Sequence, residues 1–340
     1  MKHIVITVFT VLFLFSQPVA ADDIIKVLIL ESPDAPLPSP DASKIDSLNG
    51  ELFINGQLYS GALEVLKDQN GLYVINSLPF EEYIEGVVAA EIGREWETEA
   101  LKAQAVISRT YAVFYRNYNA GNAFHITSGT LHQLYKGKNE DPLITDAVKA
   151  TAGEILTYHD QPIKSFFHST CASKTELPEE VWKESYPYLT SVDCNSRNTP
   201  YDSWQKSFSL KAIAGALGTG YIKEIAISSY TATGRVKTLT ITSQEKTGDV
   251  VTVIKATELR RVLGYKELPS TQFSLARTGN TIVFTGKGYG HGVGLSQWGA
   301  LEMARQGKNY REILSHFYPG TILKNSGEIS FHNMAFKIAP

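Results

Sequence analysis

The sequence has little cysteine, no long basic block and, after its first residues, no extended apolar run. Its net charge is −3, and binding to nucleic acid needs clustered Lys and Arg, so nucleic acid is excluded as the main partner. Hydrophobic residues make up 43% and charged residues 20% of the chain, a composition typical of a soluble globular protein rather than a disordered or coiled-coil one. The length of 340 residues favours one large domain or two closely packed ones.

The first 21 residues have the pattern of a signal peptide. Lys2 and His3 precede an apolar run over residues 4–15, and small residues follow it up to Ala21. The run is too short to span a bilayer comfortably, although an uncleaved anchor is the alternative. We expect cleavage after Ala21 and a secreted protein of the periplasm or cell wall. No cysteine follows the predicted cut to carry a lipid anchor, and no later segment resembles a transmembrane helix.

The two cysteines, Cys171 and Cys194, suggest one covalent link. In an oxidising compartment two cysteines near each other in sequence usually form a disulfide. The alternative is zinc, with His168 as a third ligand beside the two thiolates. Three ligands are one fewer than a closed zinc site needs, so the disulfide is favoured and no cofactor is expected.

The order of secondary-structure patterns predicts an α+β fold with mixed sheets. Short strands fill a β-rich part over residues 22–77, including a hairpin at Asn55-Gly56. The core, residues 78–322, begins with a helical stretch over 79–118 and continues with alternating strands over 223–285. A helix interrupts these strands near residues 256–263, and residues 296–318 return to helix. Residues 22–340 are treated as one region without internal repeats.

Glu91 stands where a helical pattern asks for an apolar residue. Pro79 fits a first helical turn, Ser77 can cap it, and an apolar stripe follows at helical spacing and reaches Glu91. Gly93 is placed to end the helix. A carboxyl group buried in this way has a raised pKa, as a general acid for glycosidic cleavage requires. The alternative is a partly exposed carboxylate paired with a base, and the pattern alone favours this alternative.

Arg109 lies in the middle of a second helix that is rich in small residues, so another element can approach it closely. Two interpretations are open for this side chain. It forms a salt bridge to an acid of the first helix, or it clamps an anionic or polar substituent of a sugar.

A glycine-rich segment over residues 286–300 carries Tyr289, His291, Ser296, Gln297 and Trp298. Its spacing fits neither a dinucleotide fingerprint nor a phosphate-binding loop. The segment runs into a helix that begins near Ser296, whose free N–H groups suit an anion or a sugar oxygen. We expect this segment to form one wall of a sugar groove that faces Glu91. The alternative is a tight structural turn.

Taken together, these segments resemble the stage II sporulation protein D family, also called the LytB amidase-enhancer family. The resemblance covers about residues 50–322 and is carried by four ordered blocks: residues 78–91, residues 99–111, residues 168–192 with His168-Ser-Thr, Val181-Trp182 and Pro187-Tyr-Leu, and residues 288–300 continuing to Gly320. The resemblance implies a fold of mixed sheets with helices around a central groove. Two departures are Ile92-Gly93, where the family often has Met-Pro, and Cys171-Ala172-Ser173, where it often has Ser-Gly-Gly.

The resemblance also implies an activity and a set of site residues. The family is known for lytic transglycosylase activity on peptidoglycan glycan strands stripped of peptide stems, and Glu91 matches its catalytic residue. Sugar-binding residues expected on this basis are Arg109, Tyr111, His168, Tyr289, His291, Ser296 and Gln297. Some relatives instead stimulate a cell-wall amidase, which is the alternative function and partner. A zinc site near the cysteine is known in part of the family.

Overall fold

The computed structural model describes residues 24–30, 38, 42–92, 95–129, 132–194, 196 and 199–329. The predicted signal peptide, residues 1–21, and Gly93 lie outside these ranges. The architecture is α+β, as the sequence predicts. Among the described helices, none is both long and apolar enough to span a membrane.

A five-stranded sheet and a hairpin form the N-terminal part. The sheet order is β2-β5-β6-β1-β7, with β1 antiparallel to β6 and parallel to β7. The hairpin β3-β4 turns at Asn55 and Gly56, both at positive φ, which confirms the predicted turn. The strands are β1 (Ile24–Leu30), β2 (Ser43–Asn49), β3 (Leu52–Ile54), β4 (Gln57–Tyr59), β5 (Ala62–Asp68), β6 (Gly71–Pro79) and β7 (Ile126–Thr127).

Two helices, α1 (Phe80–Glu91) and α2 (Thr98–Tyr118), pack on this sheet, and a third, α3 (Pro142–Ala150), packs on both of them. The apolar stripe of α1 is buried, so it drives the helix against α2. Ser77 does not cap α1, because Ser77 lies in β6 opposite Lys26 of β1 and the N-cap is Pro79. β6 therefore leads directly into the helix that carries Glu91.

A second group of strands has its own hydrophobic core. It contains two three-stranded sheets, β12-β13-β14 and β11-β16-β15, with two helices packed on them. Positive-φ glycines at 234, 248 and 279 sit at the predicted turns. The elements are β11 (Trp204–Ser209), α5 (Leu210–Leu217), β12 (Tyr221–Tyr230), β13 (Val236–Glu245), β14 (Gly248–Lys255), α6 (Ala256–Leu263), β15 (Phe273–Thr278) and β16 (Thr281–Gly286).

The remaining elements pack against the other face of α2. They include the sheet β18-β8-β9 and a short parallel pair, β10 with β17. The predicted helix over 296–318 is two helices, broken between residues 305 and 310. The elements are β8 (Glu154–Tyr158), β9 (Gln161–Pro162), β10 (Phe167–His168), α4 (Pro178–Val181), β17 (Leu295–Ser296), α7 (Gln297–Arg305), α8 (Tyr310–Phe317) and β18 (Ile322–Asn325).

Candidate active site

The carboxyl group of Glu91 lies at the C-terminal end of α1, where two other segments meet it. The backbone N–H of Leu134 donates a hydrogen bond to Oε1 at 2.7 Å, and the amide of Gln297 bonds the same carboxyl group. Burial raises the pKa of Glu91 to about 7, against the opposing effects of these two hydrogen bonds and of Lys136. At neutral pH, therefore, a large share of Glu91 is protonated.

A buried chain of polar side chains fixes Gln297 relative to Glu91. Because α7 packs on α2, Gln297 Nε2 donates to Gln104 Oε1 at 3.4 Å. Gln104 in turn donates to Ser108 Oγ at 3.0 Å. A connected network of this kind holds each amide in one orientation. The prediction that the end of the glycine-rich segment reaches Glu91 is thus met at Gln297.

The segment 132–137 forms the other side of the site, and the sequence analysis missed it. Gln133 is buried, donates to the Ser108 carbonyl and accepts from the Tyr83 hydroxyl. Leu134 and Lys136 alternate with buried residues, so they face the opposite way, toward Glu91 and solvent. The contribution of this segment is a backbone N–H, which no residue type signals. The only signal in the sequence is the position of this segment after the predicted helical stretch over residues 79–118.

Aromatic rings line the site beside Glu91. Tyr111 is buried, its ring lies 4.6 Å from that of Tyr115, and nearby Glu91 adds to the effect of burial in raising the pKa of Tyr111. The ring of His132 lies 4.6 Å from Tyr115. Burial lowers the pKa of His132 to about 4, so His132 is neutral at physiological pH. Glu91 thus acts on the pKa of Tyr111, and the predicted role of Tyr111 in binding a sugar stays a prediction.

Arg109 does not reach the site. Its guanidinium makes a bidentate salt bridge to Glu81, at 2.8 and 2.7 Å, and it donates to the carbonyls of Val148 and Glu154. The residue is only 1% exposed. Glu81 lies in the first turn of α1, ten residues before Glu91, which is about 15 Å along the helix. The structure therefore supports the salt-bridge interpretation, and the predicted sugar clamp at Arg109 is wrong.

The glycine-rich segment is fixed by close backbone approach. Gly294 has φ of 70°, and a Cβ there would overlap the Phe166 carbonyl oxygen. Such contacts let β17 pair with β10, which places His168 opposite Ser296. Ser296 is fully buried and caps α7, accepting from Gly299 N at 3.3 Å. Ser296 therefore positions α7 and does not face a substrate.

The remaining predicted sugar-binding residues are engaged with the protein. His291 Nδ1 accepts from Val293 N–H at 3.1 Å, and the ring also bonds to the backbone of Phe167. His168 is buried, and its Nδ1 bonds to the Val293 carbonyl at 3.2 Å. Tyr289 stacks on Tyr201, with ring centroids 4.5 Å apart. His291 is partly exposed, and its predicted role in binding a sugar stays a prediction.

Cys171 and Cys194 form a disulfide, as the sequence predicts. The bond holds the segment after β10 against the segment before β11. Because both sulfurs are used, the alternative zinc set with His168 lacks its two thiolates. Within the described residues, no group of three or more metal-binding side chains is gathered elsewhere.

The arrangement at Glu91 suits proton transfer to a polar substrate. A carboxyl group with a pKa of about 7 can both donate and accept a proton near neutral pH. Leu134 and Gln297 hold it in place. Among the described residues, the charged side chain that acts on the pKa of Glu91 is Lys136.

Two family models match parts of the chain. Residues 68–158, which include α1 and α2, match the family model of the stage II sporulation protein (SpoIID). Residues 192–294 match a model named only as a domain of unknown function (DUF8618). The chain is 33% identical to an uncharacterised protein of Brachyspira hyodysenteriae over 78% of this chain and 72% of the relative.

Two further relatives come from Bacillus subtilis strain 168. An amidase enhancer is 27% identical over 71% of this chain but only 40% of its own length. Stage II sporulation protein D is 34% identical over 77% of this chain and 79% of that protein. This likeness extends over most of both chains, so the chain belongs to the stage II sporulation protein D (SpoIID) family.

Proposed function

We propose that the protein is a peptidoglycan lytic transglycosylase that cleaves glycan strands, with Glu91 as its acid and base. The observation that supports this most strongly is the pKa of about 7 at Glu91, in a carboxyl group held by Leu134 and Gln297. Peptidoglycan lies outside the cytoplasm, so the predicted export and a location in the periplasm or cell wall fit this substrate.

The reaction needs one carboxyl group and consumes no water. Protonated Glu91 donates its proton to the glycosidic oxygen as the bond from muramoyl C1 to that oxygen breaks. The muramoyl 6-hydroxyl then attacks C1 and gives up its proton to the Glu91 carboxylate, which restores the acid. The product carries a 1,6-anhydro ring. Hydrolysis by the usual two-carboxylate route requires a second acid across the bond, and Lys136 rather than an acid acts on Glu91.

The test is Glu91→Gln, which keeps the size of the side chain and the acceptor for Leu134 N–H. Purified variant and wild type are incubated with glycan strands freed of peptide stems, and anhydromuramoyl ends are counted by mass spectrometry. We expect their release to be lost in the variant. Glu85→Gln is the matched control, since Glu85 lies on the same helix but is bonded to Thr145 and Asn139. Equal cleavage by Glu91→Gln and wild type would refute the assignment.

A second function, stimulation of a cell-wall amidase, has support from the relative named amidase enhancer. It predicts that the wild type releases no anhydromuramoyl ends by itself, yet accelerates stem-peptide removal by an added amidase. In that case Glu91→Gln should stimulate the amidase as well as wild type does. Loss of stimulation in the variant would instead connect Glu91 to the partner.

A further inference from the structure

A group of aromatic rings surrounds an exposed tryptophan on the segment after α4. Trp182 stacks on Phe166 with ring centroids 4.5 Å apart and an interplanar angle of 25°. His291 lies 4.9 Å from Trp182, and Tyr186 lies 6.3 Å from Phe166. One face of the indole is thus covered, yet 38% of Trp182 remains exposed. Phe166, Tyr186 and His291 are also partly exposed.

A row of aromatic rings leads from Trp182 to the segment that holds Glu91. The ring centroids of Phe166 and Tyr111 are 6.4 Å apart, and those of Tyr111 and Tyr115 are 4.6 Å apart. His132 follows at 4.6 Å from Tyr115, on the same segment that donates the Leu134 hydrogen bond to Glu91. Tyr111 is buried, whereas Phe166, Tyr115 and His132 are partly exposed.

Folding alone gives no reason for the open face of Trp182. An exposed indole leaves apolar surface in water, and its contact with Phe166 would be made equally well by a smaller apolar residue. His291 bonds to the backbone of Val293 and Phe167, which holds its ring beside Trp182. The flat apolar faces of sugar rings are complementary to such a surface, and the indole N–H can bond a hydroxyl group.

We propose that Trp182, backed by Phe166 and His291, is a subsite that binds a sugar ring of the glycan strand beyond the two rings joined by the bond cleaved at Glu91. This rests on the proposed function for the identity of the strand. It implies that the protein binds long strands more tightly than a disaccharide, because a disaccharide placed at Glu91 leaves Trp182 without a sugar.

The experiment measures binding without cleavage, in a Glu91→Gln background, by isothermal titration. The probes are long denuded glycan strands and the single disaccharide repeat. Adding Trp182→Leu keeps an apolar contact with Phe166 but removes the flat face, and it should weaken binding of long strands about tenfold without changing binding of the disaccharide. Adding Trp182→Phe should restore most of the affinity. Tyr221→Ala is the control, since Tyr221 is 55% exposed on β12 in the other group of strands.

The outcomes separate the subsite from the proposed function. If the Glu91→Gln protein binds long strands and the protein that also carries Trp182→Leu binds them equally well, the subsite is refuted while the proposed function stands. If Trp182→Leu and Tyr221→Ala weaken binding to the same extent, a specific role for Trp182 is likewise refuted. If the Glu91→Gln protein binds no glycan at all, both the proposed function and the subsite are refuted. Selective loss with Trp182→Leu and recovery with Trp182→Phe supports the subsite.

Discussion

Glu91→Gln should change the stability of the protein by an amount that depends on pH and shifts in favour of the variant as pH rises. In the folded protein, burial raises the pKa of Glu91 from 4.5 to about 7. The folded state therefore binds a proton more tightly than the unfolded state does. The stabilisation that this protonation provides is fully present below about pH 4.5, and it is lost as pH rises through about 7. Glutamine is never ionised, so the variant avoids this loss.

The magnitude follows from the two pKa values. About 1.4 kcal/mol corresponds to one pKa unit, so the charged form costs up to about 3 kcal/mol in the fold above pH 7. Leu134 N–H keeps its acceptor in the variant, but the new NH₂ group faces the NH₂ group of Gln297, which donates to the carboxyl group in the wild type, so the loss of this hydrogen bond adds a cost at every pH. Between pH 4 and pH 8, the difference in unfolding free energy between variant and wild type should shift in favour of the variant by up to about 3 kcal/mol.

Denaturant unfolding across this pH range measures the difference directly. Glu224→Gln, which removes an exposed carboxylate from β12, is the control and should change stability little at any pH. A difference for Glu91→Gln that stays constant from pH 4 to pH 8 would contradict the raised pKa. A difference that shifts in favour of the wild type as pH rises would show that the charged carboxylate is favoured in the fold.

Three further outcomes are expected. The rate of glycan cleavage should fall about tenfold per pH unit above pH 7, since the acid form of Glu91 is depleted there, and a flat profile up to pH 9 would oppose its role. Arg109→Met removes the donor to the Val148 and Glu154 carbonyls and leaves Glu81, whose side chain is 39% exposed, without its partner. It should lower the unfolding free energy by about 2 kcal/mol, while the folded variant keeps wild-type KM. A raised KM with unchanged stability would instead support the sugar clamp. Reducing the disulfide, which joins residues 23 apart, should cost about 3 kcal/mol of stability in the chain-entropy model, and an unchanged Tm in reductant would contradict this.

Elements that depend on residues close together in the sequence are the ones that the sequence predicts well. The Asn55-Gly56 hairpin and the helix over 256–263 depend on neighbouring residues, and both are confirmed. The stripe leading to Glu91 was also readable, because helical spacing alone places its members on one face. The sequence does not decide between two uses of the same side chain. Arg109 has the pattern of a sugar clamp as well as of a salt bridge, and its partner, Glu81, stands 28 positions away in the sequence.

Contacts made by folding account for what the sequence did not show. Leu134 reaches Glu91 through its backbone N–H, across 43 positions, and a leucine gives no sign of this. Ser77 has a good capping side chain, but pairing of β6 with β1 extends through it and moves the helix start to Phe80. The sequence predicts that His291 bonds a sugar, and only the path of the glycine-rich backbone shows that its ring bonds to the backbone of Val293 and Phe167.

The most direct test of the central claim is the mass of the products that the purified protein releases from denuded glycan strands. Lytic cleavage at Glu91 predicts chains that end in 1,6-anhydromuramoyl residues, lighter by one water than hydrolysis products of the same length. Chains with ordinary reducing ends would contradict the single-carboxylate route, and intact strands after prolonged incubation would contradict the proposed activity itself.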